Sequence, residues 1–378
     1  MGTQSKFTRK QILQIGGSGL ITAGTAGILT SCGGPVRKDF EAMNKNTGKN
    51  SRITNDIFEI LKYASLAPSG HNMQPWFVTV KSKNEFIIGS DKERWLNIVD
   101  PENREAMLSI GAFVENFCSA SSSFGYETEV QVIAKSSLDS DIVNIKLKKT
   151  KTDAFDLKKI SSRRTVKKGL QSCELKSDDI KKISGIGPGR IFYFPRSINH
   201  SKCLTDWTIE SYTHQTWRDD AQNELAGCIR FKKEDAEKYG YGLTPEGMEI
   251  NGIAGWYVRN FMNKKDVTEK SFRVQGIDVY SKLAREGAGW IIITGKSGNV
   301  SDLIETGRLF QRLALSVREL NIALHPMTQI LEEKKWRDQM TSMHRPGIIP
   351  QFILRTGYLD SYPDPVSIRR PVEWFIRS

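Results

Sequence analysis

The sequence predicts an α+β fold made of two related halves, and two observations support this prediction. A helical pattern over 57–66 leads through a polar loop into a β run over 77–80. Two buried-strand patterns, 76–82 and 290–297, are each followed by a long helical pattern and then by another strand. A strand–helix unit that occurs twice in one chain indicates a pseudo-dimer.

The two helical patterns resemble each other in their small residues. One contains Gly111 and the other Gly307, and fourteen residues later stand Gly125 and Asn321. Gly and Asn are the residues that best tolerate the left-handed position that closes a helix. Strand patterns then resume, at 129–134 and 322–324.

Charge and composition exclude some classes of function. Of the net charge of +12, +5 falls on the first fifty residues, which leaves +7 for the rest of the 378-residue chain. That excess is scattered, and no basic stripe is interleaved with aromatic residues. Nucleic-acid binding is therefore not expected, whereas a small phosphate-bearing ligand is compatible with the charge.

The N-terminus has the pattern of an export signal. Basic residues at 6–10 precede a mildly apolar stretch over 12–29, and Thr8–Leu13 is similar to a relaxed twin-arginine motif. Leu29–Gly33 resembles a lipobox, in which Cys32 would carry the lipid. We expect residues 1–32 to be a signal, residues 33–51 a polar linker, and the protein to be an exported lipoprotein of the cell envelope.

Other interpretations of this leader stay open. It could be a short membrane anchor or an amphipathic leader, although its apolar core is shorter than the roughly 20 residues of a spanning helix. In a further alternative the leader is not an export signal and the protein is cytoplasmic.

The four other cysteines do not suggest a framework. Their spacing is irregular and lacks a C-x-x-C pair, so neither disulfides nor a zinc site is predicted. Cys118 lies among apolar residues and is interpreted as a core residue. No metal cluster is apparent among the five histidines.

The decapeptide Ala67-Pro-Ser-Gly-His-Asn-Met-Gln-Pro-Trp76 is the most informative segment. It joins a helix to a strand and offers backbone N–H groups with short polar side chains, which suit a sugar-phosphate chain. It resembles the A-P-S-x-x-N-x-Q-P-W signature of the nitroreductase-like FMN-binding family. The resemblance assigns FMN contacts to four residues of the loop: Pro68, Ser69, Gly70 (where Ser is common in the family) and Asn72.

A second motif reads Ser162-Arg-Arg-Thr-Val-Lys167. Two guanidinium groups and a hydroxyl suit a terminal phosphate, although such a run is often only a solvated basic face. The resemblance implies that Arg163 and Thr165 hold the FMN phosphate, with Arg164 beside them. It also places Lys167 at the flavin N1–O2 edge, where negative charge develops on reduction.

The C-terminal segment is similar to the family's final strand and phosphate-contacting tail. Gln351–Tyr358 has the strand pattern, and Arg369 and Arg370 follow it. We expect Arg369 to contact the phosphate, with Arg370 as the substitute, and Arg355 to be structural. A further loop, Leu324–Gln329, implies Thr328 and Gln329 near flavin N5, whereas His325 is expected to be a loop or core residue.

The three motifs are divided between the halves. No R-R-S-x-R element precedes the decapeptide, and Ser184–Phe194 stands where a second decapeptide would fall. Parts for only one flavin site remain, which resembles the single-chain, double-length (Acg-type) branch of the family. Asp100–Glu105 and 307–313 also look like that branch. We expect a nitroreductase-type sandwich, with a central antiparallel-rich sheet flanked by helices, and halves at 52–155 and 156–378.

The resemblance implies an FMN-dependent oxidoreductase that transfers two electrons through flavin N5. Its partners would be NAD(P)H or another electron donor and a small-molecule acceptor, and membrane contact is expected only through the N-terminal lipid anchor. Between the copies, a charged insertion at about 217–285 is predicted to be a lid or a surface excursion. Since NAD(P)H is intracellular, an exported protein could instead bind and sequester flavin with little turnover, the insertion closing over it.

Overall fold

The computed structural model describes residues 53–152, 155–342 and 348–377. The predicted leader, Cys32 and the linker lie outside these residues. Thirteen α-helices are found in the described part: α1 Asn55–Ala64, α2 Arg104–Ser123, α3 Leu157–Ser162, α4 Ser177–Ile186, α5 Asn199–Trp217, α6 Asp219–Cys228, α7 Lys233–Tyr239, α8 Gly252–Phe261, α9 Lys264–Thr268, α10 Lys270–Arg285, α11 Val300–Ser316, α12 Gln329–Glu332 and α13 Lys334–Ser342. The strands of the same ranges are β1 Trp76–Ser82, β2 Glu85–Ser90, β3 Tyr126–Val132, β4 Asp141–Lys149, β5 Ile191–Pro195, β6 Gly289–Gly295, β7 Ile322–Pro326, β8 Ile349–Tyr358 and β9 Ile376–Arg377.

The strands form two sheets, whereas the sequence predicted one central sheet. The first has the order β3-β4-β2-β1-β9 and the second the order β7-β8-β6-β5. All pairs are antiparallel except β1 with β9. The expectation of a single sheet is therefore wrong. Buried-strand patterns are generic, and they do not tell which strands will pair.

The two sheets repeat one topology. With β9 set aside, β1 to β4 occupy the same places as β5 to β8, and each set has a helix between its second and third strands. The two predicted copies were matched one strand out of step, because 290–297 corresponds to β2 and not to 76–82. Both segments begin with a buried Trp in an apolar run, which explains the wrong match.

Helices α2 and α11 pack against each other between the sheets. They cross at Gly111 and Gly307: a Cβ on Gly111 would lie 2.2 Å from the Ile304 carbonyl oxygen, and one on Gly307 would lie 2.1 Å from that of Leu108. Only glycine permits backbones this close. The helices share one apolar core with both sheets.

The predicted residues that close these helices are confirmed. Gly125 has φ +74° and Asn321 has φ +51°, so both lie in the left-handed region. The strand patterns after them are confirmed as β3 and β7, and the C-terminal strand pattern as β8. Strand β6 is buried along its whole length, which agrees with its run of Ile residues.

A long segment, which includes the predicted insertion, joins the first two strands of the second sheet. Strands β1 and β2 are joined at residues 83–84, whereas the corresponding strands β5 and β6 are separated by 196–288, which contains α5 to α10. Part of this segment has a small apolar cluster of its own around Val258 and Val267. In the described ranges, no helix has the length and apolar character that crossing a bilayer requires.

Candidate functional site

The decapeptide forms a strained loop between α1 and β1. Gly70–Asn72 is a single 3₁₀ turn, and His71, Asn72 and Gln74 have φ of +45°, +55° and +53°. Left-handed backbone is uncommon for residues other than Gly, and it persists only where the surroundings hold it. Inside the loop, the Ser69 hydroxyl accepts a hydrogen bond from the Gln74 N–H at 2.9 Å.

Arginines from the second and third motifs meet at this loop. Arg163 Nη2 donates to the Leu66 carbonyl at 2.8 Å, and Arg369 Nη2 donates to the same oxygen at 3.2 Å. Arg369 also donates to the Ala67 carbonyl at 3.1 Å and to Asn72 Oδ1 at 2.9 Å. Both arginines are buried. The fold thus brings the three separate motifs together at one end of the decapeptide.

Arg370 has a different position from Arg369. Its Nη2 donates to the carbonyls of Gln74 and Trp76 at 2.7 and 2.6 Å, and its side chain is 1% exposed. Burial, with a contribution from Arg94, lowers the pKa of Arg370 to about 9. Through these contacts Arg370 holds the end of the loop that leads into β1.

The long insertion contacts the decapeptide directly. Gly242 N–H donates to the Asn72 carbonyl at 3.0 Å, and Asn72 Nδ2 donates back to the Gly242 carbonyl at 3.0 Å. Gln74 Nε2 donates to the Gly240 carbonyl at 2.9 Å. The side-chain amide of Asn72, with a second donation to the Ile368 carbonyl at 3.1 Å, is fully engaged.

The same insertion also contacts the second motif. Glu249 pairs with Arg164 at 3.2 Å and accepts from the Lys167 N–H at 3.1 Å, while Lys167 Nζ donates to the Gly247 carbonyl at 3.1 Å. Glu249 itself has φ +59°. Burial lowers the pKa of Lys167, and Glu249 partly opposes this shift.

A small pocket lies at the second motif. Arg163, Arg164 and Thr165 line it on one side. Its remaining lining is mostly apolar and consists of Phe310, Ala314, Val317, Leu324 and Tyr362. Guanidinium groups and a hydroxyl are groups that bind anionic oxygens.

His71 is the most unusual polar residue of the loop. Its Nδ1 atom is buried and has no hydrogen-bond partner in the part of the chain that the structure describes. Burial lowers the pKa of His71; nearby Glu105 opposes that shift and Lys167 adds to it. Glu105 also lies close to Gly70, where a Cβ would make a tight contact of 3.1 Å with Glu105 Oε2.

Thr328 and Gln329 lie at the start of α12. The Thr328 hydroxyl donates to Glu332 Oε1 at 2.8 Å, and Gln329 Oε1 accepts from the Tyr280 hydroxyl. Gln215 donates to the second oxygen of Glu332 at 2.7 Å. Burial, reinforced by Glu105 of the other half, raises the pKa of Glu332 to about 8. Glu105 thus faces both His71 and Glu332.

Two expectations for neighbouring residues are confirmed. His325 is buried in β7, where burial and the charges of Arg355 and Lys167 hold its pKa well below the usual value. Arg355 is fully buried and donates to the carbonyls of Leu283 and Lys167, so its role is structural.

Four polar residues of this region were not predicted from the sequence: His71, Glu105, Glu249 and Glu332. His71 lies between predicted site residues of the decapeptide, at a variable position of the signature. Glu332 lies one helical turn after Thr328. The proximity of both to predicted site residues in the sequence could have indicated them. Glu249 had no such signal, since its segment is distant in sequence and lacks a motif.

The second motif and the loop contain groups of the types that bind a phosphate-bearing cofactor. The pocket of Arg163, Arg164 and Thr165 offers phosphate ligands, and the unpartnered Nδ1 of His71 offers a polar atom beside the loop. Among the described residues, no group of three or more His, Cys, Asp or Glu is placed to hold a metal ion.

Comparison with known proteins supports a nitroreductase-like oxidoreductase. No family model matches the chain. The chain is 22% identical over 328 residues to the "Probable NAD(P)H nitroreductase PigM" of Serratia sp. (strain ATCC 39006), an alignment that covers 81% of this chain and 90% of that relative. The mixed α+β architecture, with helices flanking the sheets, is compatible with a nitroreductase-type fold.

Proposed function

We propose that this chain is an FMN-dependent, nitroreductase-like oxidoreductase of the single-chain, double-length branch, with one flavin site between its two halves. The observation that carries the proposal is the meeting of three distant motifs at Leu66–Asn72 through Arg163 and Arg369. A binding loop and two buried cations from other parts of the chain are what a phosphate-bearing cofactor needs.

The chain's own residues have distinct roles in this proposal. Arg163, Arg164 and Thr165 bind the phosphate together with Arg369, whose contacts with Ala67 and Asn72 also hold the decapeptide in position. Lys167 supplies positive charge at the N1–O2 edge, and Thr328 and Gln329 lie near N5. When bound, FMN supplies two-electron transfer through N5.

The repeated topology supports a pseudo-dimer of two fused half-units. Each half contributes four strands in the same order and one long core helix, and the helices cross at Gly111 and Gly307. In such an arrangement the flavin of a two-subunit site lies between the halves of one chain. Loss of complementary parts from each half leaves one site of the original two.

The electron donor proposed here is NAD(P)H, supported by the name of the Serratia relative. Nitro compounds or quinones are the proposed acceptors, by analogy with nitroreductases. The N-terminal pattern supports export and lipidation at Cys32. Radiolabelled palmitate incorporation that is abolished by Cys32→Ala would support this route; no incorporation would contradict it and favour a cytoplasmic protein.

The central test is cofactor binding followed by reduction. The purified full chain is expected to show flavin absorbance, directly or after reconstitution with FMN, and to bleach when mixed rapidly with NADH or NADPH. Protein that binds no FMN after reconstitution would contradict the proposal.

A second candidate function is flavin binding with little turnover. The insertion contacts that engage Asn72, Gln74, Arg164 and Lys167 favour it, since a segment lying over the site restricts access of a second substrate. A bound flavin that is inert to both nicotinamides would support sequestration, whereas fast bleaching supports the reductase.

A further inference from the structure

Helix α8 exposes an apolar stripe that the proposed function does not use. Ile253, Trp256, Tyr257 and Phe261 follow the spacing i, i+3, i+4 and i+8, so they share one face of the helix. Ile253, Trp256 and Phe261 are 47%, 42% and 55% exposed. We call these four residues the α8 stripe.

The α8 stripe is distinct from the face by which the helix packs on the protein. That other face carries Gly255 and Val258, both buried, and Val258 belongs to the apolar cluster of the insertion. Helix α8 therefore has two apolar faces, of which the packing of the chain uses one. Exposed contiguous apolar surface of this kind marks an interaction site.

The aromatic rings of the stripe form a preassembled cluster. The ring centroids of Trp256 and Phe261 lie 5.2 Å apart in an edge-to-face arrangement, and those of Tyr257 and Phe261 lie 5.3 Å apart and nearly parallel. Rings that already support one another lose little side-chain freedom on binding.

The charge around the stripe is basic. Residues 250–285 contain seven Lys and Arg against three Asp and Glu. Lys264, Lys265 and Lys270 follow the stripe closely and are exposed. Aromatic residues next to exposed lysines are typical of helices that lie in the interface of an anionic bilayer.

We propose that the α8 stripe docks onto the surface of a bilayer that contains anionic lipid, with its rings among the headgroups and the lysines against the lipid charge. Trp and Tyr prefer this interfacial depth. Docking of this kind does not depend on the proposed flavin chemistry.

A bilayer fits the stripe better than a second protein does. Aromatic side chains cover about 150–250 Å² each, so the half-exposed stripe offers on the order of 350 Å². A stable protein interface needs about 800 Å² from each partner. The expected lipid at Cys32 would also bring a bilayer near, since the linker to Ile53 spans at most roughly 70 Å.

The test compares vesicle binding by variants of the full chain. Ile253→Ser/Trp256→Ser/Phe261→Ser replaces the three most exposed residues of the stripe. A matched control replaces three exposed apolar residues elsewhere, Leu138→Ser/Ile198→Ser/Trp374→Ser. All proteins have the same N-terminal segment, so differences between them report the stripe.

On vesicles of phosphatidylglycerol with phosphatidylcholine, we expect the stripe variant to partition about tenfold more weakly than the wild type. The control variant should match the wild type, and high salt should weaken wild-type binding. Phe261→Trp should retain binding, which separates loss of interfacial contact from loss of folding.

Three outcomes would overturn the proposal. The stripe variant could bind vesicles as tightly as the wild type. The wild type could bind pure phosphatidylcholine equally well and without salt dependence. Or the wild type could form dimers that the stripe variant loses, with vesicle binding unchanged, in which case the stripe is a protein interface.

Discussion

The two sheets differ at one corresponding hairpin, and this difference accounts for much of the asymmetry of the molecule. In the first sheet, β1 and β2 are joined at residues 83–84; in the second, β5 and β6 are separated by 196–288. The long connection contacts the decapeptide of the other half through Gly240 and Gly242. The candidate site thus lies in only one of two places that the repeated topology makes equivalent.

The two halves also differ in the loop that precedes the first strand of each half, β1 or β5. Between α1 and β1 stands the strained decapeptide, whereas between α4 and β5 the chain passes through Gly189 and Arg190 directly into the strand. Arg190 there binds Asp302 at 3.2 Å and Thr306 at 2.5 Å, which are contacts within its own half. The repeated topology tolerates a loop without binding features.

The largest expected effect comes from disrupting the crossing of α2 and α11. Gly111→Ala or Gly307→Ala would force the crossing helices apart and lower the free energy of unfolding by about 3 kcal/mol. Because the crossing is shared, both substitutions should cost similar amounts. Denaturant unfolding measures this, with Gly185→Ala in α4, whose Cβ would meet nothing within 4 Å, as the control. A neutral Gly307→Ala would contradict the crossing.

The second prediction concerns the one-sided site. Arg163→Ala and Asn72→Ala lie in different halves, and each should weaken FMN binding by roughly 1.5–3 kcal/mol, the contribution of a lost charged hydrogen bond. Arg190→Ala at the corresponding loop should leave FMN affinity unchanged. Titration of the flavin absorbance or fluorescence gives the affinities. If Arg190→Ala weakens binding as much as Arg163→Ala, the site is not one-sided.

The third prediction concerns Glu332, whose pKa is raised by burial and by Glu105 of the other half. The pKa of Glu332 is raised from 4.5 to about 8, so the folded state retains a proton that the unfolded state has lost between about pH 5 and pH 8. The free energy of unfolding should therefore fall as pH rises through this range, by at most about 1.4 kcal/mol per pH unit.

Glu332→Gln should flatten this pH dependence, whereas the exposed Glu319→Gln should preserve it. Thermal or denaturant unfolding at several pH values measures both. An unchanged slope in Glu332→Gln would show that the carboxyl is already ionised in the folded protein at neutral pH.

The smallest expected effect concerns Gly242, through which the long insertion contacts the decapeptide. Gly242 has φ +97°, and a Cβ there would lie 2.4 Å from the Cys228 carbonyl oxygen. Gly242→Ala should strain the contact with Asn72 by about 1 kcal/mol and speed FMN release several-fold. Gly247→Ala, which has no positive φ and only ordinary contacts, is the control. Equal release rates for the two variants would show that the segment does not restrict the cofactor.

Local patterns predicted much of this fold. The runs that became β6, β7 and β8, and the closing residues Gly125 and Asn321, carry their signal in neighbouring residues. Strand partners carry no such signal. Ile376 and Arg377 pair with β1 from the far end of the described chain, and no periodicity indicates that.

The candidate site shows the same division. The resemblance to the nitroreductase-like family brought Asn72, Arg163 and Arg369 into one prediction, and in the structure Arg163 and Arg369 both contact the segment that contains Asn72. The partners supplied by Gly240, Gly242 and Glu249 could not be predicted, because their segment has no motif and its position depends on long-range packing.

The contacts of the C-terminal segment with the decapeptide and β1 have a consequence for biosynthesis. Arg369 binds Asn72 across 297 residues, and Phe375 accepts from Val78 N–H at 2.7 Å. At about 5–20 residues per second, the ribosome needs roughly 15–60 s to reach Arg369 after it has synthesised the decapeptide. The first sheet and its loop therefore emerge incomplete. A chain interrupted shortly before residue 369 would retain nearly every helix and strand but would lack the contacts that Arg369 and Arg370 make with the decapeptide.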